Sequence, residues 1–154
     1  MLAVTVVVLL FFSICHAEAQ TSTTEFVTGG LVDHDPNSAW GQNMTKQYAW
    51  GKGLAEVNKA CNGCASVRVP VKLVKFTSQV VNGFLYRLTV IYADSECKNN
   101  GEHNYESVNE EKCKLLSEGQ YEKCLITVLE APWMHPEPSV GNSGCGSSFP
   151  KDEE

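Results

Sequence analysis

Two long runs of alternating apolar residues, joined by a five-residue link, constrain this chain more than any other feature. The first run carries Val67, Val69, Val71 and Leu73, with Phe76 out of phase at its end; the second carries Phe84, Tyr86, Leu88, Val90 and Tyr92. Strand side chains point alternately to two faces, so each run predicts a strand with one buried face. Between them lie Gln79, Val80, Val81, Asn82 and Gly83. A short turn containing Asn-Gly between two such runs is the signal of a β-hairpin. Its tip is unusual for a plain connector, because two valines sit at the edge of the turn. Exposed aliphatic side chains there are either a folding liability or a surface that touches a partner.

A helix is expected upstream, over about residues 39–60. Trp50, Leu54, Val57 and Cys61 recur as one apolar stripe, and Trp40, Met44 and Tyr48 form a second, shorter one. Asn37 or Ser38 can cap its start, and Asn62-Gly63 stops it. Gly41, Gly51 and Gly53 each weaken a helix by roughly 1 kcal/mol against Ala. The reading that accounts for them is close approach of a sheet. Residues 33–38 carry turn residues. Downstream, residues 94–121 read as a long polar loop holding Cys97 and Cys113. A strand follows over residues 124–129, then a turn over residues 131–136 with an exposed aromatic, then a weak strand within residues 140–149. One long helix followed by consecutive antiparallel strands predicts an α+β domain, the helix packed across one curved sheet of four to five strands.

Residues 1–12 are almost wholly apolar, and Ala17 and Ala19 sit where a signal peptidase reads small residues. This predicts a secretory signal peptide over residues 1–19, cleaved before Gln20, although no Lys or Arg precedes the apolar run. The run is shorter than the roughly 20 residues that cross a bilayer. The expected division is therefore a signal peptide (1–19), a flexible polar arm (20–28), a folded domain (29–150) and an acidic tail (151–154), in a soluble extracellular protein. Cys15 leaves with the signal. Cys61, Cys64, Cys97, Cys113, Cys124 and Cys145 remain, an even set that reads as disulfides whose fifteen possible pairings spacing cannot resolve. The net charge of −6 is spread out and no basic run exists, so nucleic acid and anionic membranes are poor partners.

The link of residues 79–83 matches the Q-x-V-x-G loop of cystatins, protein inhibitors of papain-like cysteine proteases. Pro132-Trp133 matches the second cystatin loop, and Gly29-Gly30 matches the glycine region that precedes the helix. Four cysteines fall as in secreted, type 2 cystatins, and the chain resembles that family over about residues 27–148. The resemblance implies the pairings Cys97–Cys113 and Cys124–Cys145. It also implies that the N-terminal segment at Gly29, the loop of Gln79, Val80, Val81, Asn82 and Gly83, and Pro132-Trp133 form one wedge. In the family the wedge fills the protease cleft on both sides of the catalytic cysteine. No inhibitor peptide bond is placed for attack, so inhibition is reversible and competitive. The implied partners are papain-like cysteine proteases of the cathepsin type, with no cofactor, no metal and no enzymatic activity of its own. Val81 and Trp133 would offer apolar contact with little rotamer entropy to lose. Thr28 stands where family members often carry a bulky aliphatic residue, which shifts the expected binding energy from the arm to those two residues.

Other signals are weighed beside this one. Cys61 and Cys64 form a C-x-x-C pair, but they follow a helix, where the dipole opposes a thiolate. A structural disulfide tying off the helix end is the expected reading, and a disulfide oxidoreductase the alternative. A zinc site lacks a second pair at ligand spacing. Asn62 matches the position of a legumain-inhibiting Asn in some secreted cystatins; an Asn-Gly turn at a helix end is the plainer reading. Asn43-Met44-Thr45 is an N-glycosylation sequon early in the helix. His34, His103 and His135 read as surface histidines, with His135 placed to make binding pH-dependent. A non-inhibitory binding module with the same fold is the alternative function. A monomer is expected.

Overall fold

The computed structural model describes residues 29–100 and 105–149. The expected signal peptide, arm and acidic tail, and with them Thr28 and His103, lie outside the described residues. Five strands, β1 (Leu31–His34), β2 (Ser66–Val81), β3 (Gly83–Lys98), β4 (Tyr121–Glu130) and β5 (Ser139–Phe149), form one antiparallel sheet in sequence order. The helical segment between β1 and β2 packs on one face. This is the expected α+β architecture, with the sheet at five strands.

The helical segment is not one α-helix. It runs as α1 (Ala39–Met44), a π-helical stretch (Thr45–Lys52) and α2 (Gly53–Ala60). Ser38 is the cap, its Oγ accepting the Gly41 N–H at 3.1 Å. Gly51 leaves helical geometry at φ −89°, ψ −117° and kinks the segment. The three glycines therefore do different work, which corrects the single reading offered for them. A Cβ on Gly53 would meet the Tyr48 carbonyl at 2.5 Å and the Ile126 side chain of β4 at 3.3 Å, so Gly53 alone brings the helix close to the sheet. A Cβ on Gly41 would strike the Pro36 carbonyl instead, and one on Gly51 would meet open space.

The kinked segment divides its apolar residues between two clusters. Met44, Tyr48 and Val57 pack with Leu73, Phe76, Tyr86, Leu88, Val90, Tyr92, Ile126 and Val128. Leu54 joins Val67, Val69 and Val108, with Trp50 packed alongside. Burial of a large aliphatic or aromatic side chain contributes about 1.5–3 kcal/mol. Two buried polar side chains tie the helical segment to the sheet: Tyr92 donates its hydroxyl to the Ala49 carbonyl at 3.0 Å. Asn58 Nδ2 donates to the Leu54 and Arg68 carbonyls, while its Oδ1 accepts the Arg68 N–H at 2.7 Å, which clamps α2 to the start of β2.

β2 departs from simple alternation. Irregularities in its pairing with β3 fall between Pro70 and Lys72 and between Leu73 and Lys75. Each shifts the phase, so Phe76 returns to the helix-facing core while Val71 turns to a cluster with Ile91, Ala93 and Tyr121. The expected long loop is shorter and tied. β3 continues to Lys98, and Glu96 N–H donates to the Lys114 carbonyl at 2.8 Å. Leu116 N–H donates to the Asp94 carbonyl at 3.0 Å. β1 also reaches His34, into residues expected to turn. Its Nε2 lies 2.7 Å from Ser78 Oγ, with the ring against Trp40 and Phe76. His34 is thus half-buried and not a free surface histidine.

Candidate functional site

Sheet register brings three separated segments to one end. β1 lies along β2 with Leu31 opposite Gln79, so the chain leaves the sheet at Gly29 beside the end of β2. Val81 pairs with Gly83 across the turn that joins β2 to β3. Phe84 pairs with Glu130, so β4 ends beside that same turn and continues into Ala131, Pro132, Trp133 and Met134. This second turn is closed by Met134 and His135 N–H groups donating to the Ala131 carbonyl at 2.8 and 3.0 Å.

Direct contacts join the three. Gln79 Nε2 donates to the Gly29 carbonyl at 2.9 Å, and its Oε1 accepts from Arg87 Nη1 at 3.1 Å. Gly83 adopts φ +128°, and a Cβ there would run into the Glu130 carbonyl and meet the Ala131 side chain at 3.1 Å. Glycine at this position lets the hairpin tip lie directly on the second turn. Asn82 Nδ2 reaches Met134 Sδ at 3.5 Å across the gap between the turns. Behind the tip, Tyr48 donates its hydroxyl to Glu130 Oε1 at 2.5 Å. Burial first, then the Glu130 carboxylate, pushes the Tyr86 phenol up to about 12.

The outer edge of this assembly is apolar. Trp133 is 64% exposed, Leu31 55%, Met134 54% and Val81 44%, with Phe84 also open. Pro132 and Asn82 are exposed, while Val80 and Gln79 are half-buried. Such a row, carried on rigid strand ends, can insert into an apolar cleft at small ordering cost. It presents no activated nucleophile and no acid–base pair. Leu31 and Phe84 carried no site signal in the sequence because apolar residues at strand ends read as core, and Met134 carried none because it reads as an ordinary turn residue beside Trp133. Arg87, which holds Gln79, carried no local signal.

The remaining expected sites lie elsewhere. Cys61 is bonded to Cys64, Cys97 to Cys113 and Cys124 to Cys145. The first closes a turn after α2 that exposes Asn62, with Gly63 at φ +86°. Because β2 runs from Ser66 to Val81, this turn is at the opposite end of the sheet from the hairpin tip. Asn43 is exposed on α1, and the Thr45 hydroxyl of its sequon donates to the Gly41 carbonyl at 2.9 Å. His135 is exposed beside Met134. Among the described residues, Glu122, Cys124 and Cys145 bring metal-ligating atom types within 4.8 Å, but both sulfurs are committed to a disulfide and are not thiolate ligands. No described helix is long and apolar enough to cross a membrane.

Comparison with known proteins bears on this arrangement. The Cystatin domain family matches residues 49–133, more than half of the chain. Cystatin cpi-1 of Caenorhabditis elegans is 32% identical over 107 residues, covering 70% of this chain and 71% of that protein. Onchocystatin of Onchocerca volvulus is 44% identical over 106 residues, covering 68% of this chain and 59% of its own length. Among solved structures, that of Al-CPI superposes with a TM-score of 0.60 at 25% identity, covering 79% of this chain and all of that one (100%). Dimeric human cystatin F, with a TM-score of 0.55 at 16% identity, covers 86% of this chain and 95% of its own, and shares the fold.

Proposed function

This chain belongs to the cystatin family, whose members are inhibitors of cysteine proteases and not enzymes, and we propose that it is a secreted, type 2 cystatin that reversibly and competitively blocks papain-like, cathepsin-type endopeptidases. The observation that carries this reading is the single apolar edge formed by Leu31, Val81 and Trp133, on segments that register and hydrogen bonds hold together. The partner cleft is one built for extended peptide, with apolar pockets and backbone groups. Gly29, Gln79, Val80, Val81, Asn82, Gly83, Pro132 and Trp133 are the contact and positioning residues. Preorganisation on strand ends reduces the ordering cost of binding. Residues 1–19 act as the signal peptide and residues 20–28 as the arm that precedes Gly29. The test is inhibition of papain and several cathepsins by protein beginning at Gln20, with substrate competition. Loss of all inhibition at micromolar protein overturns the reading and leaves the non-inhibitory binding module.

A second activity is proposed for Asn62, as an inhibitory site for legumain. It rests on the exposure of Asn62 on a disulfide-closed turn at the far end of β2, where both proteases could be bound at once. Asn62→Ala should abolish legumain inhibition and leave papain inhibition unchanged. Equal legumain inhibition by both proteins rules it out.

A further inference from the structure

We infer that Met134 is an oxidation site through which peroxide weakens the inhibitory edge; this rests on the protease reading above. Three observations carry it. Met134 is 54% exposed, whereas Met44, the other described methionine, is 4% exposed inside the core. Met134 follows Trp133 in the turn over residues 131–135, so its thioether belongs to the apolar edge. Its sulfur also meets Asn82 Nδ2 at 3.5 Å, which makes it a soft link between the two turns. Thioether oxidation follows exposure, so oxidant should select Met134 over Met44.

The co-reactant is a hydroperoxide, such as hydrogen peroxide. A sulfur lone pair attacks one peroxide oxygen, the S–O bond forms and the O–O bond breaks. The second oxygen takes the hydrogen of the transferred oxygen as a proton and leaves as water, or as the alcohol from an organic hydroperoxide. Sulfur is oxidised by two electrons and the peroxide is reduced by two. The product carries a strongly polar S=O group where a polarizable apolar sulfur stood. Its oxygen is a better acceptor for the Asn82 amide than the sulfur is, so it pins Asn82 and turns polar a position that the partner cleft would have to desolvate. Moving the S=O group from water into an apolar cleft that offers it no further donor beyond Asn82 should raise the inhibition constant about tenfold or more.

The experiment treats the folded protein with graded hydrogen peroxide. Peptide mass mapping then follows one added oxygen at Met134 and at Met44, and the inhibition constant for papain is measured at each dose. The inference expects oxidation at Met134 first, a parallel loss of affinity, and recovery after treatment with methionine sulfoxide reductases. Met134→Leu, compared with its own untreated form, should keep its inhibition constant at the same peroxide doses. Oxidised Met134 with unchanged affinity overturns the inference, as does equal peroxide sensitivity of Met134→Leu or earlier oxidation of Met44. Absence of inhibition by untreated protein overturns the protease reading itself and takes this inference with it.

Discussion

Gln79 Nε2 donates to the backbone carbonyl of Gly29 at 2.9 Å, while the same side chain accepts from Arg87 at 3.1 Å. Gln79 is therefore a clamp between the incoming chain and the hairpin more than a contact surface. Gln79→Ala should release the Gly29 carbonyl and lose about 1 kcal/mol of protease binding, roughly fivefold. Gln79→Glu keeps the partner for Arg87 but sets a carboxylate against the Gly29 carbonyl, so it should weaken inhibition at least as much. Inhibition constants for the two variants check this; a Gln79→Glu protein that inhibits like wild type excludes the clamp.

Trp133 makes its contribution outside the fold. At 64% exposure its indole contributes little to the core, yet it is the largest apolar group on the edge. Trp133→Ala should cost about 2–4 kcal/mol of binding, a hot-spot magnitude, while the unfolding midpoint stays within about 0.5 kcal/mol of wild type. Val81→Ala should cost about 1 kcal/mol by the same reasoning. Inhibition assays paired with denaturant unfolding separate the two effects.

Much of this was legible before the fold was known, and the exceptions share a cause. β3 alternates without interruption from Phe84 to Tyr92, so periodicity alone placed it and the turn before it. β2 contains three irregularities, and the two at Pro70/Lys72 and Leu73/Lys75 put Val71 and Phe76 on the face opposite to the one a strict period of two assigns. The helical segment hides its π stretch similarly, since Gly51 reads as a weak helix residue and not as a kink. For the candidate site, Phe84 keeps the phase of the buried residues Tyr86, Leu88 and Val90, whereas Leu31 shares the exposed phase of Asp33 in β1. Whether a position such as Phe84 is covered depends on how far the helix reaches along the sheet, which sequence phase does not encode.

Gly83 combines two constraints that no other residue meets. Its φ of +128° disfavours any Cβ, and a Cβ would collide with the Glu130 carbonyl. Gly83→Ala should therefore destabilise the fold by about 1–3 kcal/mol. It should also weaken inhibition, because the hairpin tip must lift from the second turn. Thermal unfolding and an inhibition assay of the same preparation test both consequences together.

The three disulfides should differ in worth because they close loops of different length. Cys61–Cys64 spans a sequence separation of 3, against 21 for Cys124–Cys145. Loop-closure entropy gives about 2 kcal/mol for the first and about 3.5 kcal/mol for the second. Serine pairs at 61/64 and at 124/145, compared by denaturant unfolding, should rank in that order. Cys124 is fully buried between β4 and the helix-facing core, which widens the gap further.

His34 makes the docking of β1 sensitive to acid. Its Nε2 sits 2.7 Å from Ser78 Oγ, and its ring packs on Trp40 and Phe76. Burial lowers its pKa below 6.5, with neighbouring Asp33 opposing the shift more weakly. The charged group that acts on it is Asp33, which in turn pairs with Lys75 of β2 at 3.8 Å. As pH falls below 6.5 the unfolded or undocked chain takes up a proton at this histidine before the folded one does. Stability from neutral His34 is therefore fully present above 6.5, and it is lost as pH falls through the lowered folded value. Because β1 carries Leu31 and positions Gly29, acid should loosen β1 before the rest of the sheet. His34→Phe keeps the aromatic contacts and removes the titration. Between neutral pH and pH of about 5, the protection of β1 amides, corrected for the intrinsic exchange rate at each pH, should fall in wild type and stay level in His34→Phe. Identical profiles for the two proteins would remove His34 from the account.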